Sequence, residues 1–295
     1  MDKKIVLIDG SSYVYRAFYA LPPLISPSGE PTGAIYGFIR MISSLLKDLN
    51  PDYIAVAFDL PKKTFKQEKV KSYKATRKET PNELKVQIPK IKEILKLWGI
   101  PILEMEGYEA DDIIATLSKK FSSNYKIIVV SPDKDMLQLV NQNITVFNPM
   151  QNIFYDIEKV KEKYGIFPNQ FVDFQILVGD SVDNIKGIKG IGKKTAQKLL
   201  NEFGSIENIY RNLDKLKPKL KDSFLEAQDK IDENRYLLKL EDNIPLKIEI
   251  DDLKKKSTDI EKLKDVFERL GFKSLLKSIE KENLKTVKTK QKTLF

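Results

Sequence analysis

Three short apolar runs punctuate the first half of the chain: KIVLID (Lys4–Asp9), YIAVAFD (Tyr53–Asp59) and YKIIVVSPD (Tyr125–Asp133). Each is rich in Ile and Val and too short for a helix, so each predicts a buried strand. Between them the apolar spacing turns helical, over residues 33–48, 82–97 and 109–120. Strand and helix in alternation predict an α/β class, a parallel sheet with helices on both faces. All three runs close on an aspartate. In open sheets of this kind the ligand site lies outside the carboxyl ends of the strands, so Asp9, Asp59 and Asp133 are expected along one edge. After residue 160 the pattern becomes helical, over 195–203, 220–240 and 260–280, with an alternating, extended stretch at Ile244–Ile250. No internal repeat is evident.

Composition narrows the chemistry. The 295 residues are 41% apolar, enough for a packed core. No apolar run reaches about 18 residues, so no membrane span is expected. The first apolar run is too short for a signal peptide and lacks a cleavage site. The chain holds no Cys and no His. That excludes thiolate nucleophiles, Cys/His zinc sites, histidine bases and Ser-His-Asp triads. A hydrolase built from these residues works with carboxylates, Lys, Tyr or a metal held by oxygen, which favours Mg²⁺ or Mn²⁺.

The formal net charge is +9, which suggests a polyanionic partner. The charges are segregated. Residues 60–79 hold eight basic side chains against Glu68 and Glu79, together with the aromatics Phe65 and Tyr73. Such a strip can follow a single strand by charge while an aromatic stacks on a base, and Lys74 and Arg77, at i and i+3, can reach one phosphate. The acids form knots: Glu109, Asp111 and Asp112; Asp133 and Asp135; Asp180 and Asp183. With Asp9 and Asp59 they make a set of nine. So many carboxylates in one cleft repel unless cations neutralise them, and two divalent ions would also clamp a scissile phosphate. Residues 185–200 read IKGIKGIGKKTAQKLL. Gly190-Ile191-Gly192 predicts a tight turn whose exposed N–H groups, with Lys186, Lys193, Lys194 and Thr195, meet a phosphate at a helix start. This is the helix–hairpin–helix pattern, which grips duplex backbone without reading bases. A dinucleotide fold fails because no strand precedes the turn and Thr195 stands at the third glycine position.

The segments IDGSSYVYRAFYALPPL, PTGAIYGF, FDLPKKTF, SYKATR, GYEADDIIATL, SPDKDMLQL, LVGDSVDNIKGIKGIGKKTAQKLL and RLGFKSLL together resemble the 5′-nuclease, or flap endonuclease, family. They span about residue 5 to 276. The resemblance implies a Rossmann-like (PIN-like) nuclease core over 1–160 with a helical arch at 60–80. It also implies a helical DNA-binding region over 161–283 carrying the helix–hairpin–helix (H3TH) motif. It implies that Asp9, Asp59, Glu109, Asp111, Asp112, Asp133, Asp135, Asp180 and Asp183 hold two or more Mg²⁺ or Mn²⁺ ions. Arg16, Tyr73, Lys74 and Arg77 would meet the substrate near the scissile phosphate, and the hairpin can hold K⁺ through its carbonyls. The implied activity is 5′→3′ exonuclease and flap cleavage of branched DNA and RNA-primer/DNA, in replication primer removal and repair. As the chain closes at Phe295, a freestanding nuclease is expected, monomeric, cytoplasmic and associated with the nucleoid. The rivals are a non-catalytic protein that binds branched DNA and a PIN-like ribonuclease. The tail, residues 284–295, is Lys/Thr-rich and expected to be flexible. It ends in Gln291-Lys292-Thr293-Leu294-Phe295, which resembles the Gln-x-x-Leu-Phe peptide that docks bacterial proteins on the sliding clamp.

Overall fold

A computed structural model describes residues 3–277. In chain order the elements begin with β1 (Lys4–Asp9), α1 (Gly10–Ala20), α2 (Gly33–Leu49) and β2 (Tyr53–Ala57). There follow α3 (Phe65–Lys69), α4 (Asn82–Lys85), α5 (Ile88–Leu97), β3 (Ile102–Leu103), α6 (Ala110–Phe121) and β4 (Lys126–Val130). Next come β5 (Ile144–Asn148), β6 (Ile153–Tyr155), α7 (Ile157–Tyr164), α8 (Phe171–Val178), β7 (Gly179–Asp180) and β8 (Ile185–Lys186). The series closes with α9 (Lys193–Phe203), α10 (Ile206–Arg211), α11 (Pro218–Leu238) and α12 (Ile260–Leu270). Two compact units result. One gathers the chain up to Asp9, Ala57–Glu79 and Leu103–Lys247; the other gathers Gly10–Val56, Thr80–Ile102 and the chain from Ile248.

In the first unit β1, β4 and β5 pair in parallel, with Leu7 opposite Val129 and Val130 opposite Phe147. β6 joins β5 antiparallel, placing Phe154 opposite Phe147, and their rings stack at 4.4 Å. Ile5, Ile8, Ile127 and Val129 are buried, as continuous apolar runs demand when both faces of a sheet are covered. α6 packs on β1 and β4 through Ile113, Ile114 and Leu117, an apolar stripe at helical spacing. The same unit contains the helical region expected from residue 161 onward, through α11. A two-residue pair, β7 with β8, sets Gly179 opposite Lys186 and so folds the segment carrying Asp180 and Asp183 back on itself.

In the second unit α1 packs on α2, and α5 on both α2 and α12. Phe38, Ile42, Ile91, Ile94, Leu263 and Phe267 form its core. The helix expected over 82–97 divides at Val86–Gln87 into α4 and α5. Gln87 causes the break to be useful: its Oε1 accepts the Ile35 N–H at 3.2 Å and its Nε2 donates to the Glu83 carbonyl at 2.9 Å, so a buried amide satisfies groups on two helices. Among the described residues no helix is long and apolar enough to cross a membrane.

Candidate active site

Because β1 and β4 are parallel, Asp9 and the loop Ser131–Asp133 leave the sheet at the same edge. Asp9 is buried, and its Oδ2 accepts the Ser131 hydroxyl at 2.8 Å. Ser131 Oγ in turn accepts the Asp133 N–H at 3.0 Å, so one serine clasps the two strand ends. Asp133 Oδ1 accepts the Asp135 N–H at 2.9 Å, which turns the chain so that both carboxylates share the cleft. Gln175, on α8, donates to Asp135 Oδ1 at 2.6 Å. Asp59 lies two residues past β2 and accepts the Ala110 N–H at 2.8 Å, satisfying an orphan donor at the start of α6.

The basic segment supplies the counter-charges. Lys74 Nζ meets Glu109 Oε1 at 2.7 Å, and Tyr73 donates its hydroxyl to Glu109 Oε2 at 3.2 Å. Arg77 Nη2 meets Asp183 Oδ1 at 2.6 Å, and the Lys74 N–H donates to the Asp183 carbonyl at 3.1 Å. Lys74 adopts φ 56°, a left-handed backbone that costs a lysine about 1 kcal/mol. Lys134 Nζ pairs with Asp180 Oδ2 at 2.7 Å, and Asp180 Oδ1 accepts the Val182 N–H at 2.9 Å.

Burial pushes the Asp111 carboxyl well above the usual range, and Asp9, Asp133 and Asp59 push it in the same direction. Burial, reinforced by Asp183, also raises Asp133, against the lowering effect of its bond from the Asp135 N–H. Asp135 is pushed up to about 8 by burial, then by Asp133 and Asp180. Glu109 goes the other way: burial would raise it, but Lys74 and Lys66 outweigh that and hold it low. Burial, then Glu109 and Asp183, keep the Tyr73 phenol protonated far above its ordinary range. The edge therefore holds more carboxyl groups than its lysines and arginine can pair with, and the crowded acids resist ionising together.

An all-oxygen donor set of crowded carboxyls fits a hard divalent cation. The buried Gln175 Oε1 adds an acceptor with no partner, next to Asp135. Among the described residues no three carboxylates are already arranged to hold a metal ion. Glu109, Asp180 and Asp183 are each paired with a cation, Lys74, Lys134 and Arg77 respectively.

The expected residues fall out unequally. Asp9, Asp59, Glu109, Asp111, Asp133, Asp135, Asp180 and Asp183, with Tyr73, Lys74 and Arg77, all belong to the first unit, and the contacts and electrostatic couplings above link them. Asp112, expected among the divalent-ion ligands, is placed differently from Asp111. It is buried and turned back onto the helix start, where its Oδ2 accepts the Glu109 N–H at 3.1 Å. Arg16 lies half-buried on α1, in the second unit. Gln291, Leu294 and Phe295 lie outside the described residues. Ser131, Lys134, Gln175 and Lys66 were not anticipated. Lys134 lies between two site aspartates and Gln175 interrupts an apolar helix, so both carried a faint signal; Lys66 carried none.

At the hairpin, Gly190 takes φ +80° with open space where a Cβ would stand, so its backbone conformation is what calls for glycine. Gly192 caps α9, and Lys186, Lys193 and Lys194 are exposed while Thr195 is half-buried. Ile188 and Ile191 are buried beneath the turn, which holds the N-terminus of α9 toward solvent.

Two family models match the chain: the 5′-3′ exonuclease N-terminal resolvase-like domain over residues 4–165, and the 5′-3′ exonuclease C-terminal SAM fold over 166–261. A 5′-3′ exonuclease of Aquifex aeolicus is 48% identical over 283 residues, covering 95% of this chain and 96% of that protein. DNA polymerase I of Caldicellulosiruptor bescii is 42% identical over 94% of this chain, which spans 33% of the polymerase. Among solved structures, the bacteriophage T5 D15 flap endonuclease in complex with DNA and metal ions matches with a TM-score of 0.66 and 23% identity. The match covers 81% of this chain and 90% of that one, and carries the fold.

Proposed function

We propose a function from one premise: the chain belongs to the 5′-3′ exonuclease family. The protein is a nuclease, a structure-specific 5′→3′ exonuclease and flap endonuclease acting on branched DNA and RNA-primer/DNA during primer removal and repair. The observation that carries this is the crowded edge of carboxyls, faced by Lys74 and Arg77 on one basic segment.

Asp9, Asp59, Glu109, Asp111, Asp133, Asp135, Asp180 and Asp183 are the residues that would hold divalent ions, Mg²⁺ or Mn²⁺. Ions bound there supply charge neutralisation and Lewis-acid activation for phosphodiester hydrolysis. Lys74 and Arg77 would donate to oxygens of the scissile phosphate, where developing charge strengthens each bond. Tyr73, held protonated, serves as a donor and never as a base. Arg16 contacts the substrate strand. The region from residue 161 grips duplex backbone through Lys186, Lys193, Lys194, Thr195 and the N–H groups around Gly190 and Gly192. Its turn carbonyls can hold K⁺. The tail docks the sliding clamp through Gln291, Leu294 and Phe295. The enzyme acts as a cytoplasmic, nucleoid-associated monomer.

A 5′-labelled flap duplex tests the reading, incubated with Mg²⁺ or Mn²⁺, with and without chelator, beside a plain single strand. Products cut near the junction that vanish with chelator, and vanish for Asp111→Asn while binding persists, support it. Binding without cutting under either ion would make the protein a branched-DNA binder instead.

A further inference from the structure

Lys66 is a buried lysine in a run of solvated ones. It is 4% exposed, whereas Lys62, Lys63, Lys69 and Lys71 are all exposed. An ammonium stripped of water is costly unless paired and hydrogen-bonded. Lys66 Nζ donates to the Lys239 carbonyl at 3.0 Å and pairs with Asp112 Oδ1 at 3.4 Å. The same Oδ1 accepts the Glu241 N–H at 2.9 Å, and Oδ2 accepts the Glu109 N–H at 3.1 Å. Both carboxylate oxygens of Asp112 are therefore taken, by donors from three separate segments. A divalent ion approaching Asp112 would meet the Lys66 ammonium and would strip two backbone N–H groups of their acceptor, each worth about 1–3 kcal/mol if left buried and unpaired.

The other end of this network is the root of the basic segment. The Phe65 N–H donates to the Gly107 carbonyl at 2.9 Å, the Phe65 ring packs edge-on against Tyr108 at 5.1 Å, and Lys69 Nζ lies 4.0 Å from the centre of the Tyr236 ring. α3 is thus fastened on both sides, and Tyr73 and Lys74 leave it to reach Glu109. Glu109 receives its backbone geometry from Asp112 and its side-chain partners from the segment that Lys66 roots.

We propose that Asp112 and Lys66 are a positioning pair. Asp112 ligates no divalent ion; it fixes the backbone at Glu109 and, through Lys66, sets where Tyr73 and Lys74 meet the cleft. This rests on the nuclease reading above.

The test uses the full chain, with Mn²⁺ binding followed by titration calorimetry without DNA and flap cleavage followed in steady state. Asp112→Asn is expected to bind the wild-type number of Mn²⁺ ions with Kd within about threefold, while Asp111→Asn weakens binding about tenfold or more. Lys66→Met is expected to keep Mn²⁺ binding and lower kcat about tenfold or more with KM little changed, as a misplaced transition-state contact does, and Lys66→Arg to restore kcat. If Asp112→Asn loses an ion as Asp111→Asn does, or if Lys66→Met turns over like wild type, or if Lys66→Arg is no better than Lys66→Met, the pair is not a positioning device. Melting curves identify a Lys66→Met chain that fails to fold, in which case the Asp112→Asn titration and Lys66→Arg turnover decide. A wild-type chain that neither binds Mn²⁺ nor cuts a flap overturns the nuclease reading, and this inference with it; loss of an ion by Asp112→Asn in an active wild-type background overturns this inference alone.

Discussion

Replacing Lys74 with Met should destabilise the metal-free protein far more than the metal-loaded one. Lys74 Nζ and Glu109 Oε1 are 2.7 Å apart with both side chains 9% exposed. Burial alone would lower the lysine pKa, yet Glu109 and then Asp183 raise it overall, while Glu109 is held low. Both partners thus favour their charged forms. Removing one partner of such a pair costs about 3–5 kcal/mol, because the other charge is left buried. The Tyr73 hydroxyl still donates to Glu109, so the carboxylate keeps one partner and the loss falls toward the low end of that range. The lysine also lies 4.9 Å from the Tyr73 ring centre, a further ~0.5 kcal/mol lost. The net is about 3 kcal/mol with chelator, falling to about 1 kcal/mol or less once a divalent ion neutralises Glu109. Lys74→Gly should lose about 1 kcal/mol less than Lys74→Met, since glycine relieves the φ of 56°. Urea unfolding followed by circular dichroism, in chelator and in Mn²⁺, measures both differences at constant slope. Equal losses under the two conditions, or a loss under about 0.5 kcal/mol in chelator, would refute the argument.

The pH response of the metal-free protein follows from Asp111, Asp133 and Asp135, whose folded pKa values are raised above the unfolded value, Asp135 to about 8. A carboxyl of that kind binds its proton better when folded, so its stabilisation is complete below about pH 4 and is lost as pH rises through the folded value. The melting temperature in chelator should therefore fall between about pH 5 and 8, and Mn²⁺ should flatten the slope; a flat profile in chelator would count against the crowded acids. Gly107→Ala places a methyl group 2.4 Å from Phe65 Cε2 at φ +85°, and should cost about 2–4 kcal/mol, partly restored by Phe65→Ala in the same chain. Strictly additive losses in urea would show that the two sites do not touch. Lys193→Ala with Lys194→Ala should reduce the slope of log affinity for duplex against log salt by about 2, without changing kcat at saturating DNA. An unchanged slope by fluorescence anisotropy would remove both lysines from the interface.

What could be read from the chain and what could not divides along a physical line. The runs KIVLID, YIAVA and KIIVV announced β1, β2 and β4 because strands covered on both faces must be apolar at every position. The aspartates closing the second and third runs fall beyond the strands, since pairing ends at Ala57 and Val130. Asp59 instead caps α6, and Asp133 turns the chain toward Asp135. α1 was not foreseen: in GSSYVYRAFYA the small polar start and scattered aromatics blur the helical period, although Tyr13, Val14 and Ala17 form a buried face. β5 interrupts its apolar run with Thr145 and ends on Asn148, and β6 has only three residues, so neither stood out from its loops. The carboxylates were visible as a set because each knot is local in sequence. Their partners were not, because Ser131 lies 122 residues from Asp9 and Gln175 lies 40 from Asp135.

Lys66 shows the limit most sharply. A lysine-rich stretch reads as a solvated or substrate-facing strip because composition averages over its positions, and for Lys62, Lys63 and Lys71 that average is right. Burial is decided one position at a time, by which residue faces inward when α3 is fastened at Gly107. At that position a long apolar stem spans the gap and a fixed positive charge meets Asp112, so the residue is a core element with a charged end. The same reasoning separates Asp111 from Asp112. They are adjacent in sequence and chemically alike, but one full-turn position on α6 faces the other acids and the next faces the helix's own first N–H groups. Only the helix geometry, at about 100° per residue, assigns one to the cleft and the other to its scaffold.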